Sequence, residues 1–388
     1  MDLEQLAKFL MLDVGGSTGR RNSANALEVH LDAAMAWLCR AQDAYPPGGV
    51  SIDYSLLRGW GAGYPETTGY IIPTFVQYAT VTGSQEYLDR AIRMADWELS
   101  IQERDGSFKG GPWGSNRGSF VFDTGQIVFG LIEAHRLSGQ DKYLQGAIRA
   151  GDWLVQVQDP EGMWRHCTYH DIAHTYYTRV AWGLAELGKY TNNRDYQEAA
   201  CRNVDWALNQ QLENGWFRSA GFTETGHNSP FTHTIAYTIE GVLETGDCLG
   251  RKDYVDAAVR SAEALLPIGR NGYYCGTYDS EWRSADRFSC LTGNAQISGI
   301  FLRLREIRSE DKYLPAAQTI NRFLCRCQET AGAPQTRGAI SGSYPIWGKY
   351  LRYTFPNWAA KFFADALLLE KKATLQSNTA KVPRHAPS

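Results

Sequence analysis

The chain has 388 residues, 43% of them hydrophobic, with a formal net charge of −3, so it can bury a large core and shows no block of like charge. Nothing in that balance points to a nucleic-acid groove or an acidic membrane surface as the main partner. Twelve Trp, 21 Tyr and 15 Phe are more rings than most soluble chains carry; those on loops would suit flat, partly apolar sugar faces.

Residues 1–21 carry Asp2 and Glu4 and lack the uninterrupted apolar run of a secretory signal. No stretch reaches the roughly 18–20 apolar residues of a membrane span. The eight cysteines form no Cys-x-x-Cys pair, and several lie in helical patterns, which favours a reduced, cytoplasmic setting.

From residue 25 onward the chain repeats itself. Trp-x-x-x-x-Gln occurs at Trp37/Gln42, Trp97/Gln102, Trp153/Gln158 and Trp206/Gln211. Glu263 is taken as the Trp position of a fifth copy that has lost the signature, and Phe323/Gln328 is the sixth. Each Trp lies in an amphipathic helix, as in Tyr143 to Leu154. A Gly turn follows, as in Asp105-Gly106-Ser107-Phe108, Glu161-Gly162-Met163-Trp164 and Asn214-Gly215-Trp216-Phe217. A longer loop then leads to a second, nearly uncharged helix rich in Gly, Ala and aromatics. These second helices are expected near 66–82, 122–138, 174–190, 232–247, 290–308 and 355–370.

Twelve helices of two alternating kinds predict an all-α fold, an (α/α)6 toroid of six hairpins with the apolar helices inside. Residues 1–370 form one domain in this reading, and the polar segment 371–388, with Pro383 and Pro387, reads as a disordered tail. The long loops precede the inner helices, so they gather at one end with the inner-helix N-termini. Functional side chains are expected there.

This filter selects Glu66, Asp123, His174, Arg179 and His233 as candidate catalytic groups. Trp60, Tyr64, Trp113, Tyr177, Asp279, Glu281, Trp282, Arg287, Tyr344, Trp347, Arg352 and Tyr353 are candidate substrate contacts. Glu66 and Asp123 each start a helix, where an acid also serves as a plain cap. The apolar wall of Phe122 beside Asp123 would raise its pKa and suit a general acid. A His at an inner-helix start is more often a core hydrogen-bond partner than a catalyst, although two in neighbouring units favour function. Arg179, one turn inside an apolar helix, needs a carboxylate partner from the protein or an acidic sugar. The repeated Trp and Gln read as structural. His166, His170 and His174 recur every four residues but in a loop-like segment, so no metal is expected, and no cofactor.

The repeat architecture over about 25–370 resembles the six-hairpin (α/α)6 carbohydrate-active superfamily of glycoside hydrolases, unsaturated-uronyl hydrolases, sugar epimerases and polyuronate lyases. The resemblance implies acids or His/Tyr/Arg sets at inner-helix starts, matched here by Asp123, His174, Arg179 and His233. The paired Asp-Asp of many such hydrolases is missing. Arg149 to Leu154 with Gln158, Gly162 and Trp164 also resembles the repeat of terpene cyclases, whose Asp-rich motifs are absent here.

Three readings stay open. The first is a hydrolase of an acidic oligo- or polysaccharide, with Asp123 as general acid and Glu66, Asp279 or Glu281 as base, the carboxyls about 6.5–9.5 Å apart if it inverts. Trp60, Trp113, Trp282 and Trp347 would stack on sugar. The second is a uronate epimerase or lyase, with His174, His233, Tyr177 or Tyr353 as base and Arg179 or Arg287 stabilising the enolate-like charge. The third is a non-catalytic saccharide-binding protein. The sequence leaves oligomeric state open.

Overall fold

The conserved geometry of the repeat begins with one amide. In the computed structural model, which describes residues 24–380 (side chains 27–377), Gln158 Nε2 donates to Gly162 O in its own turn and to Ala199 O of the next outer helix, both at 2.9 Å. Gln102 does the same to Gly106 O and Gly146 O, and Gln328 to Gly338 O and His30 O. Each of these glutamines thus ties the end of one hairpin to the flank of its neighbour, satisfying carbonyls that would otherwise be orphaned.

Twelve α-helices are described: α1 (Ala24–Asp43), α2 (Pro65–Thr82), α3 (Gln85–Ile101), α4 (Val121–Ser138), α5 (Asp141–Gln156), α6 (Thr178–Thr191), α7 (Arg194–Leu208), α8 (Thr232–Leu249), α9 (Lys252–Leu265), α10 (Leu291–Arg308), α11 (Tyr313–Cys327) and α12 (Asn357–Ala380). The odd-numbered helices form the outer layer. In α5 the buried residues Tyr143, Gly146, Ala147, Ala150, Gly151, Trp153 and Leu154 make a single stripe. Even-numbered helices are buried nearly all round over their first turns, as from Val121 to Val128 in α4.

Each inner helix packs on the next, and α12 packs on both α2 and α1, so the ring closes. Small residues let the inner helices approach. A Cβ on Gly183 of α6 would lie 2.9 Å from Gly125 O of α4, and one on Gly293 of α10 would lie 2.7 Å from Thr232 C of α8. This close packing explains why the inner helices are rich in glycine. The chain is an (α/α)6 toroid. Among the described residues no helix is long and apolar enough to cross a membrane.

Short strands lace the loops at one end. Antiparallel β1 (Asp53–Ser55) lies between β2 (Gly59–Trp60) and β5 (Thr354–Pro356), joining the first loop to the last. A second pair, β3 (Ser289–Cys290) with β4 (Ser343–Tyr344), joins the last two loops.

Three expectations need correction. Residues 371–380 are helical, continuing α12, because Lys371 and Lys372 pair with Glu28 and Glu306 at 2.7 Å and dock the segment; 381–388 lie outside the described residues. The third inner helix starts at Thr178, since His174 is extended and Thr175–Tyr177 form a single 3-10 turn. In the fifth unit Glu263 does not stand at the Trp position. Tyr313 Oη donates to Glu263 at 2.5 Å, as Tyr143, Tyr196 and Tyr254 donate to Asp96, Asp152 and Asp205. Glu263 is therefore the acid that precedes the Trp elsewhere, and Ala264 takes the Trp place.

Candidate active site

Glu66 and Asp123 occupy the first turns of adjacent inner helices, α2 and α4, at the long-loop end of the ring. Neither is an N-cap: the cap positions are Tyr64 and Phe120, and no side chain caps either helix. The capping explanation for the two acids therefore fails on geometry. Glu66 Oε2 instead accepts the Tyr64 hydroxyl. Asp123 Oδ1 accepts the Gly111 amide at 2.9 Å, and Arg117 also favours its charged form.

Asp123 is buried, at 3% exposure, whereas Glu66 and Tyr64 keep contact with solvent. Burial pushes Asp123 up to about 7. Burial, reinforced by the neighbouring Asp123 charge, pushes Glu66 up to about 8, against the opposing Tyr64 hydrogen bond and the Arg179 charge. Two carboxyls in one desolvated space resist double ionisation, so near neutral pH the pair shares a proton. Each acid has a hydrogen-bond donor and an arginine charge that favour its ionised form, but Glu66 is also raised by the Asp123 charge, so the last proton stays on Glu66.

Rings wall this pair. Phe122 lies 5.3–5.4 Å from the rings of Tyr176, Tyr177 and Tyr237. Trp358, in the first turn of α12 and half-buried, meets Tyr64 edge-on at 6.2 Å and donates to the Tyr350 hydroxyl. Trp358 is missing from the sequence-based candidates, yet it is the second residue of its inner helix, as are Glu66, Arg179 and His233. That shared position was the available signal.

Arg179 is 2% exposed. Its Nη1 lies 2.5 Å from Glu240 Oε2 of α8, and its Nε donates to Gln126 Oε1 at 3.0 Å. The expected carboxylate partner is thus supplied by the protein. His233 is buried and pushed down to about 3 by burial. Its Nδ1 meets Gln296 Oε1 at 2.7 Å, and its ring lies 4.2 Å from that of Tyr237. His174 is different. Its Nδ1 and Nε2 lie 2.9 and 2.7 Å from the carbonyls of Gly221 and Tyr169, and burial lowers it to about 4. Both ring nitrogens are engaged by loop backbone, so His174 ties two loops together and offers no free base. Tyr177 is similarly buried, its hydroxyl accepting the Tyr169 amide.

The remaining candidates pack against other partners or lie exposed. Asp279 pairs with Arg283 at 3.3 Å and accepts the amides of Glu281 and Arg283, hydrogen bonds that lower its pKa despite some burial. Glu281 and Arg287 are exposed. Trp282 packs edge-on against Trp216 in the turn of the fourth unit, and Trp60 packs against Trp37 and Tyr54; both are packing rings. Tyr344 meets Phe323 of outer helix α11. Tyr353, with φ 58°, anchors the last loop through its N–H to Ile346 O. Trp113, Trp347 and Arg352 are exposed. His166 and His170 are exposed too, and His170 has φ 62°, so these two and His174 share no helix face.

A family model described as the squalene-hopene cyclase C-terminal domain matches residues 65–242. No curated protein matches the sequence significantly. Among solved structures, an unsaturated glucuronyl hydrolase specific for heparin superposes with a TM-score of 0.73 at 17% identity, over 91% of this chain and 99% of that one. Cellobiose 2-epimerase from Bacillus thermoamylovorans superposes with a TM-score of 0.70 at 11% identity, over 88% and 98%. A sugar epimerase from a ruminal bacterium gives 0.70 at 14%, over 92% and 98%. What these likenesses share with the present chain is the toroid fold.

Proposed function

We propose that the chain is a carbohydrate-active enzyme that hydrolyses an acidic oligosaccharide at the long-loop end of the ring. The observation that carries this reading is the Glu66–Asp123 pair, two carboxyls in the first turns of adjacent inner helices, where burial raises both and the Asp123 charge raises Glu66 further, an arrangement suited to sharing one proton near neutral pH. Glu66, keeping that proton, donates it to the oxygen of the leaving sugar. Asp123, ionised and steadied by the Gly111 amide, takes a proton from the attacking water. These roles exchange the ones expected from the sequence. Trp358 and Tyr64 offer ring faces beside the acids. Arg117, exposed, with its guanidinium 5.7 Å from the Tyr169 ring centre and near enough to act on Asp123, is suited to a sugar carboxylate. The sugar-processing activities named for the structural neighbours support the substrate class.

The test is a panel of acidic oligosaccharides followed by both reducing-end release and ultraviolet absorbance. Hydrolysis yields new reducing ends; Glu66→Gln and Asp123→Asn should each abolish them while the protein stays folded. Full turnover in either variant refutes the assignment.

One observation favours epimerisation as a second reading. His233 Nδ1–H donates to Gln296 Oε1, which leaves the imidazole lone pair on Nε2. Epimerisation would change the sugar without a new reducing end or an unsaturated chromophore.

A further inference from the structure

On the far side of the Arg179 layer lies a hollow. All six inner helices line it, α6 with Arg179 and Trp182 from its first two turns and the others from their second turns onward; Glu66 and Asp123 are not among its walls, and its volume is about 360 Å³. We propose that this axial cavity is a separate binding site for a compact neutral polyhydroxylated molecule of monosaccharide size.

Its chemistry selects that class. The charged groups on its wall are closed on one another: Arg179 with Glu240 at 2.5 Å, Lys361 with Asp365 at 2.6 Å, Arg303 with Glu244 at 2.7 Å, and Arg136 with Glu133 and Glu186 at 3.3 and 3.6 Å. An ionic ligand would have to break one of these pairs, and a desolvated pair is costly to break. Hydrogen-bonding capacity nevertheless remains. Gln296 is 3% exposed, and its Nε2 is buried without a partner, a donor that protein interiors seldom leave unused. Hydroxyl groups both donate and accept, so one ligand can answer this amide and the carboxylate oxygens together. Phe129 and Trp182, both half-buried with centroids 4.6 Å apart, supply the apolar face on which the C–H side of a sugar ring rests.

The space itself is kept by a glycine. A Cβ on Gly299 would meet Leu369 Cδ1 at 3.9 Å, outside its own helix backbone. A side chain there would grow into the hollow with little backbone obstruction. This site does not depend on the hydrolytic reading, since none of the groups named carries out that reaction.

The experiment is saturation-transfer NMR on the full chain with millimolar glucose, galactose and mannose, and with glucuronate as the charged counterpart. At least one neutral hexose should show transfer, reduced at least five-fold by Gly299→Trp and unchanged by Gly299→Ala. Soaked crystals should place that sugar against Phe129 and Trp182. If Gly299→Trp melts well below the parent, Trp182→Ala takes its place, with the same loss expected. The proposal is overturned if no hexose shows transfer, if transfer survives the substitutions undiminished, or if glucuronate binds this cavity as well as the hexoses. None of these outcomes bears on reducing-end release at the other end of the ring.

Discussion

The guanidinium of Arg179 on α6 meets the carboxylate of Glu240 on α8 at 2.5 Å, with the rings of Tyr70, Phe129, Trp182, Tyr237 and Phe362 all within 6 Å of its centre. The pair bridges two inner helices at the level that separates the two acids from the axial hollow. Removing one partner leaves the other charge poorly solvated. Arg179→Met is expected to cost about 3 kcal/mol in a denaturant titration, near the lower end for a broken buried pair because the Glu240 side chain is 20% exposed. Double replacement by Met and Leu should recover part of that loss.

Asp123 should lower stability at alkaline pH. Its folded pKa is raised from 3.8 to about 7, so the native state binds more protons than the unfolded chain across that interval. The penalty is absent below the ordinary carboxylate range, grows as pH rises, and is complete above about 7. Asp123→Asn removes it. The variant should exceed the parent in stability by about 2–4 kcal/mol at pH 8 and by nothing at pH 4, measured by urea unfolding at both pH values.

The shared proton also sets the pH–rate curve. Activity should fall below about 7 as Asp123 is protonated and above about 8 as Glu66 loses its proton. Tyr64→Phe deletes the hydroxyl that favours ionised Glu66. Its alkaline limb should therefore move upward, by up to about one unit. An unchanged alkaline limb would show that Glu66 does not govern it.

The repeat residues predict the opposite pattern, stability without activity. Gln158→Ala removes two amide donations to backbone carbonyls and should cost about 1–3 kcal/mol. Gly215 has φ 83°, and a Cβ there would lie 2.7 Å from Arg260 O. Gly215→Ala is strained on both counts and should lower the melting temperature by several degrees. Turnover per folded molecule should be unaffected in both.

Much of this architecture was legible in the chain because it is periodic. Trp153 and Gln158 recur in other units, and the contrast between the α4 and α5 patterns assigns inner and outer layers. The fifth unit slipped by one residue because its Trp is gone; the Tyr254 to Glu263 spacing, the same nine residues as Tyr143 to Asp152, fixes the register. The site was legible in outline only. Glu66 and Asp123 announce themselves as acids opening apolar helices. Glu240 lies two turns into α8, however, and its partnership with Arg179 depends on the rotation of one inner helix against the next. Asp279 and Trp282 meet local partners for a related reason. A loop at the correct end of a ring can turn outward, and here Trp282 docks on Trp216 instead of facing the axis.

The seam between α1 and α12 is made of contacts nearly the whole chain apart, such as Gln328 with the His30 carbonyl. Every other hairpin finds its neighbour within about 60 residues. During synthesis α1 must therefore wait, one flank uncovered, until the final helix has left the ribosome, and shutting the circle is the step with the largest loop-closure entropy. A chain cut short before α12 would present that bare flank to any partner with a matching apolar stripe, including the unfinished edge of a second copy.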